Sequence, residues 1–390
     1  MAIIIKKFGG TSVGSIELIR NIASKIAAEY QAGEQIVIVV SAMGKTTDQL
    51  FGMAYEITDH PSRRELDMLL TAGERITMSL LSLSLQEEGF SSISFTGSQS
   101  GIITDNRHGN ARILSVNAFR ILEELDKGKI VIVAGFQGVS QAKEITTLGR
   151  GGSDTTAVAL ACYLKADKCE IYTDVDGVYT ADPRIVPNPQ KIDTIDYAQM
   201  LALAYNGSKV LHPRAVEFGY CYNLTLEVKS SFTFGAGTCV QNCREKTNAK
   251  DTIMEDRKVN AIAHKEGLNK YCIARTHYPA LKHWGHEIFK YQIDCDSLIL
   301  FIEAKYDSEI RYFLQQHEIE LLGVDQKMGF VILVGFGINL DLSIVAQTME
   351  VLATQRVLQI MHSEQSIEIL LPSDDVCDSV RKLHDVFIGE

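Results

Sequence analysis

Through the first 230 or so residues, short aliphatic runs alternate with stretches of helical period. Ile3–Ile5 opens the series as a strand. From Ile16 to Tyr30, apolar residues at Ile16, Ile19, Ala23, Ile26 and Ala27 have the spacing of a helix with one buried face. Ile36–Val40 and Ile130–Ala134 are continuous apolar runs, the signature of strands covered on both faces in a parallel sheet. A long helical pattern surrounds Leu66–Leu85, and Ile93–Phe95 reads as a strand. Helices follow at Val116–Leu125, Thr155–Leu164 and Tyr197–Tyr205, and strands at Glu170–Thr173 and Leu224–Val228. Alternation repeated this often predicts an α/β fold built on a central, mainly parallel sheet.

The pattern changes after about residue 245. Glu245–Asp256 is dense in Lys, Asp and Glu and reads as a linker. Shorter elements follow, with strands at Leu298–Glu303, Phe330–Val334 and Ser366–Leu371. Helices are predicted at Ser308–His317, Leu342–Leu352 and Val376–Phe387. The expected organisation is a domain over residues 1–245 and two small α+β units, with room for interleaving, over residues 255–390.

Composition narrows the class. The 390 residues are 46% hydrophobic and 22% charged, as in a soluble globular protein. The 38 Lys+Arg against 49 Asp+Glu give −11, which argues against a general nucleic-acid or anionic-membrane binder. Residues 1–250 hold 25 basic and 27 acidic side chains, and residues 251–390 hold 13 and 22, so the acidity belongs to the second part. No apolar run is long enough to span a bilayer. Met-Ala-Ile-Ile-Ile-Lys-Lys lacks the features of a signal peptide. Eight singly scattered cysteines fit reduced thiols, and the expected location is the cytoplasm.

Three glycine-rich loops, each after a predicted strand, carry the candidate chemistry. Lys7-Phe8-Gly9-Gly10-Thr11-Ser12 joins the first strand to the first helix. Its glycines let backbone amides approach phosphate oxygens, and Lys7 supplies a counter-charge. Leu148-Gly149-Arg150-Gly151-Gly152-Ser153-Asp154 opens a helix, and its arginine suits bidentate capture of a carboxylate or phosphate. Thr173-Asp174-Val175-Asp176-Gly177-Val178-Tyr179, continuing to Arg184, lies at the C-terminal end of a strand, where open α/β sheets bind ligands. Gly44-Lys45-Thr46 is not a Walker A motif, because Val39 stands where its first glycine belongs. His212 before Pro213 reads as a structural cap, and His277, His283 and His286 around Trp284 lack metal-ligand spacing.

Together these loops resemble the aspartate kinase branch of the amino-acid kinase family. The resemblance runs from Lys7 to about Gly237. It takes in Val40-Ser41-Ala42-Met43-Gly44-Lys45-Thr46-Thr47, Gly73-Glu74, Gly135-Phe136-Gln137-Gly138 and Ser208-Lys209-Val210-Leu211-His212-Pro213. It implies a three-layer sandwich that transfers the ATP γ-phosphoryl group to the β-carboxylate of L-aspartate, beginning aspartate-derived amino-acid biosynthesis. By the resemblance, Lys7, Arg150 and Asp154 serve catalysis. Ser41, Thr47, Glu74, Arg150, Gly151, Gly152 and Ser153 bind substrate. Lys7, Phe8, Gly9, Gly10, Thr173, Asp174, Tyr179, Arg184, Lys209 and Val210 bind ATP. Mg²⁺ would come with ATP, with no dedicated protein metal site. Two other readings belong beside this one: a sibling kinase acting on another small carboxylate, and a non-catalytic sensor that kept the fold.

Aspartate kinases carry two ACT-type βαββαβ modules in the C-terminal region, which bind feedback amino acids and mediate dimerisation. Phe330–Gly337, Ile360–Ile367 and Leu383-His384-Asp385-Val386-Phe387 resemble the second module. The first module diverges, and Arg275–Tyr291 stands in place of its Pro-Gly effector loop. The expectation is a homodimer or higher homo-oligomer on an ACT-like scaffold, with altered or lost effector response.

Overall fold

The computed structural model describes residues 2–30, 34–242, 259–284 and 286–389. The predicted linker Glu245–Asp256 lies outside the described residues. The chain divides into two compact units. One comprises Met1–Val178, Lys191–Ala204 and Lys209–Lys250; the other comprises Tyr179–Gln190, Tyr205–Ser208 and Asp251–Glu390.

The first unit is built on an eight-stranded sheet. Its strands are β1 (Ile3–Phe8), β2 (Gln35–Val40), β3 (Ser92–Phe95), β4 (Ile130–Ala134), β5 (Lys168–Thr173), β6 (Thr194–Asp196), β7 (Leu226–Ser230) and β8 (Thr238–Gln241). They lie in the order β6-β8-β7-β5-β1-β2-β4-β3. The pairs are parallel except β7 with β8. Every residue of β4 and five of six in β2 are buried, as continuous apolar runs require when helices cover both faces. Helices α1 (Ile16–Glu29) and α2 (Ala72–Glu87) share one core with β1, β2 and β4. Helix α3 (Gly152–Leu164) is buried along most of its length, and α4 (Pro213–Cys221) packs beside it. A separate four-stranded sheet is formed by Ile102–Thr104, Ile113–Val116, Gln137–Ser140 and Ile145–Thr147.

Two expected helices are redrawn. The pattern around Leu66–Leu85 breaks at Thr71, whose hydroxyl donates to Met68 O, giving Arg63–Leu70 and then α2. The break places Gly73-Glu74 in the first turn of α2. Val116 closes the strand Ile113–Val116, paired with Ile102–Thr104, and the helix begins only at Phe119. Antiparallel pairing of Val116 with Ile102 holds it in the strand.

The second unit carries a six-stranded sheet of β9 (Ala261–Ala274), β10 (Lys290–Ile293), β11 (Ser297–Glu303), β12 (Leu321–Val334), β13 (Gln359–Ser363) and β14 (Ser366–Pro372). Their order is β10-β11-β9-β12-β14-β13. The long antiparallel strands β9 and β12 are shared. β11 pairs with the second half of β9, while β14 pairs with the second half of β12. Two cores result. Tyr271, Leu300, Ile310 and Leu314 belong to the one with helix α5 (Asp307–Gln316). Val331, Leu333, Ile369 and Leu383 belong to the other, with α6 (Leu342–Val351) and α7 (Ser373–Phe387). The two cores thus share one sheet, threaded by the same two long strands.

The segment Tyr179–Gln190 joins the second core through Ala181 and Val186. Its Thr180 accepts from Ile262 N at 2.7 Å, and the Thr180 hydroxyl hydrogen-bonds His384 Nε2 at 3.0 Å. Trp284 packs edge-on to Phe313, and His283 stacks on His317, so these rings serve packing against α5.

Candidate active site

The loops at the C-terminal ends of β1 and β2 are laced together at backbone distance. Gly44 N donates to Gly10 O at 2.9 Å, and Ser41 N donates to Phe8 O at 3.2 Å. A Cβ on Gly10 would stand 2.9 Å from Ala42 O, so the approach requires glycine. Gly9 N donates to Tyr172 O, tying the same loop to β5. Side chains alternate along β1, so Lys6 and Lys7 face opposite ways. Lys7 Nζ lies 2.6 Å from Asp154 Oδ1 in the first turn of α3, with both side chains largely buried.

Glu74 enters from α2. Its Oε1 accepts from Ala42 N at 3.1 Å, while Oε2 is buried without a hydrogen-bond partner. Gly73 permits this, because a Cβ there would lie 2.7 Å from the Ala42 methyl. Burial pushes the Glu74 carboxyl up to about 7, against the lowering effect of two backbone hydrogen bonds. Ser41 and Thr47 are half-buried on the segment that Glu74 anchors.

Arg150 stands exposed between Gly149 (φ 77°) and Gly151 (φ 67°), both in the left-handed region. Gly151 is the N-cap of α3, Gly152 N donates to Gly149 O, and Ser153 is buried against Gly135. A hub holds the preceding strand. Fully buried Asp67 accepts from Thr147 Oγ1 (2.5 Å) and Gly109 N (3.1 Å), and hydrogen-bonds His108 Nδ1 (2.7 Å).

At the end of β5, Thr173 O receives both Ser231 N and Ser231 Oγ, and Thr173 Oγ1 donates to Asp174 Oδ1 at 3.1 Å. Lys209 is exposed and Val210 half-buried just before α4, which His212 caps through Nδ1. Tyr179 and Arg184 fall in the second unit, where Arg184 grips Asp182 with Nε and Nη2 at 2.9 and 2.6 Å. The first unit thus brings Lys7 and Asp154 into contact and docks Glu74 on the Ala42 backbone.

The model of the amino acid kinase family matches residues 2–228. Across 99% of its length the chain is 42% identical to Aspartokinase 2 of Bacillus subtilis and covers 98% of that protein. It is 43% identical to an aspartokinase of Geobacillus stearothermophilus, again over 99% of the chain and 97% of the relative. The chain belongs to the aspartokinase branch of the amino acid kinase family. Escherichia coli aspartokinase III, solved with aspartate and ADP, superposes with a TM-score of 0.84 at 24% identity over the full length of both chains, a likeness of fold.

Other residues that shape this unit escaped the reading of the sequence. Asp67 is one, and Arg214 is another. A third group is a cluster on the face of the sheet that Lys6 shares. Glu170 there meets Lys6 at 3.2 Å, Lys168 at 2.7 Å and Lys229 at 2.8 Å, and accepts the Tyr172 hydroxyl at 3.0 Å. A glutamate inside the apolar run Cys169–Tyr172 was the available signal, and Lys6 stands directly opposite it in register.

Proposed function

We propose that the chain is an aspartate kinase, transferring the γ-phosphoryl group of ATP to the β-carboxylate of L-aspartate to give 4-phospho-L-aspartate. The observation that carries this reading is Glu74: one carboxylate oxygen is anchored on Ala42 N and the other is buried and unfilled. An amino-acid ammonium supplies what that oxygen lacks. Arg150 would hold the α-carboxylate through its planar fork. Ser41, Thr47, Gly151, Gly152 and Ser153 would frame the rest of the substrate.

The β-carboxylate is a nucleophile already ionised near neutral pH, so no general base is needed. Catalysis is then positioning and neutralisation of the charge spread over the transferring group. Lys7, oriented by Asp154, and the amides of Gly9 and Gly10 would do this at the γ-phosphoryl oxygens. Phe8, Thr173, Asp174, Tyr179, Arg184, Lys209 and Val210 complete the nucleotide-contacting set of this reading.

Asp154 is already in an ion pair, and among the described residues no group of three His, Cys, Asp or Glu side chains is placed to cage a metal ion. In this reading Mg²⁺ arrives on the phosphates of ATP, held mainly by phosphate and water, and would add to charge neutralisation. No helix among the described residues is long and apolar enough to cross a membrane. The reading includes a cytoplasmic enzyme, first in aspartate-derived biosynthesis, assembled as a homo-oligomer through the second unit.

The test is incubation with MgATP, hydroxylamine and either L-aspartate or L-glutamate. An acyl phosphate reacts with hydroxylamine to give the hydroxamate and inorganic phosphate. Aspartyl hydroxamate is the expected product; its absence at saturating substrates would sink the reading, and glutamyl hydroxamate alone would assign a sibling kinase.

A further inference from the structure

Arg150 is flanked by two left-handed glycines, so its own loop does little to fix it. The start of α4 supplies the missing restraint. Arg214, in its first turn, donates through Nη1 to Leu148 O at 2.5 Å and through Nη2 to Ala111 O at 3.0 Å, with Asn110 Oδ1 at 3.4 Å from Nη1. Ala111 N in turn donates to Thr147 O, so one guanidinium ties the segment at Ala111 to the end of the strand Ile145–Thr147, which leads into the loop. Two residues earlier, His212 closes on Gly151 of the same loop. A Cβ on Gly151 would fall 2.1 Å from His212 Cγ. The His212 ring is itself fixed, because Nδ1 accepts from Arg214 N at 3.4 Å.

Arg214 is partly buried, yet these hydrogen-bond partners are carbonyl and amide oxygens. Burial, with Arg112 nearby, pulls its pKa down, against Glu217 and Asp105. A half-desolvated cation placed on neutral acceptors is a poor device for general stability. It does fix the Leu148 carbonyl, two residues from Arg150, through Nη1, while Nη2 holds Ala111 O.

We infer that Arg214 and His212 form a clamp that positions Arg150 for the substrate carboxylate, so that aspartate affinity depends on residues that do not touch aspartate. This rests on the proposed kinase reading. Both are positioning residues. Misplacing a substrate-orienting group by about 1 Å is enough to cost roughly 100-fold.

The experiment compares wild type with R214A, R214K and H212N, using steady-state ADP release with the full chain. His212→Asn keeps an N-cap acceptor while removing the ring from Gly151. R214A is expected to raise KM for aspartate about 30-fold with KM for ATP within threefold. R214K should fall between, H212N should raise KM for aspartate about fivefold, and millimolar methylguanidinium should restore R214A at least in part. A purely structural role would lower melting temperature and active fraction while leaving the two KM values in their wild-type ratio. That outcome in whichever of the three variants folds would overturn the inference, as would equal rises for both substrates. Wild type that forms no aspartyl hydroxamate would instead remove the kinase reading on which the clamp rests.

Discussion

Glu74 and Glu170 are each 3% exposed in the same unit, yet they lie at opposite ends of the carboxylate range. Burial pushes both upward. At Glu170 that push is overcome by Lys6, Lys168 and Lys229, and the group falls to about 2. At Glu74 the opposing donors are backbone amides alone, and it rises to about 7. The cluster around Glu170 is closed: Lys6, Lys168 and Lys229 meet Glu170 and Glu227 on the sheet and Glu29 at the end of α1, three charges of each sign. The one around Glu74 is open at Oε2. A closed cluster braces a sheet, whereas an open one holds a binding valence in reserve.

The sharpest way to break this contrast uses adjacent residues of β1. Lys7→Ala should lower turnover roughly 10⁴-fold, about 5.5 kcal/mol of transition-state stabilisation. Lys6→Met, on the brace side, should leave kcat of the folded fraction within threefold while lowering stability. Hydroxamate assays beside urea unfolding separate the two; near-normal turnover in Lys7→Ala would take Lys7 out of the mechanism.

Glu170→Gln tests the brace directly. The change takes the shared counter-charge from Lys6, Lys168 and Lys229 but leaves them Glu29 and Glu227, so the loss should stay below the roughly 3 kcal/mol of a fully broken buried pair. Because the folded pKa is depressed, the stability Glu170 contributes is complete above pH 4.5 and disappears as pH falls toward 2. The gap between wild type and variant in urea should therefore narrow on acidification. A gap constant from pH 7 to 3 would mean that the network's charge is not what matters.

Glu74→Gln should do the reverse. KM for aspartate is expected to rise about 100-fold, roughly 2.7 kcal/mol, through loss of the charge that meets the ammonium. Here the folded pKa is raised, so stability is lost as pH climbs from 4.5 to about 7, by roughly 3 kcal/mol at the upper end. The glutamine variant escapes most of that loss and should be the more stable protein at pH 8. A variant that is weaker in both aspartate affinity and stability would show that Glu74 holds the fold and not the ligand.

These two clusters also differ in how far they could be read from the chain. Lys7-Phe8-Gly9-Gly10 and Gly73-Glu74 left marks because backbone approach demands glycine at Gly10 and Gly73, beside the functional side chains. Asp67 and Arg214 left none. They act on partners 80 and 66 residues away, through hydroxyl and carbonyl groups that any sequence offers. The strands β9 and β12 were legible only in part. Charged positions such as Lys265, Glu266, Asp325 and Lys327 interrupt their apolar runs, and register shifts break the alternation at Lys265/Leu268 and Leu268/Lys270. Predicted elements of simple α/β alternation survived, while the interleaved sheet needed three-dimensional pairing to appear.

The smallest expected effect is also the most specific to the open cluster. If Glu74 must be ionised to accept the substrate ammonium, kcat/KM for aspartate should fall as pH drops below about 7, approaching tenfold per pH unit. Between pH 6 and 8 the substrate's own β-carboxylate stays ionised, so it does not contribute to the slope. Saturating MgATP and an ADP-release assay remove hydroxylamine and nucleotide binding from the ratio. Glu74→Gln supplies the control, because it cannot titrate, and its weaker kcat/KM should run flat across the window. An identical slope in both proteins would assign the titration to another group and leave Glu74 as a buried structural acid, erasing the difference from Glu170.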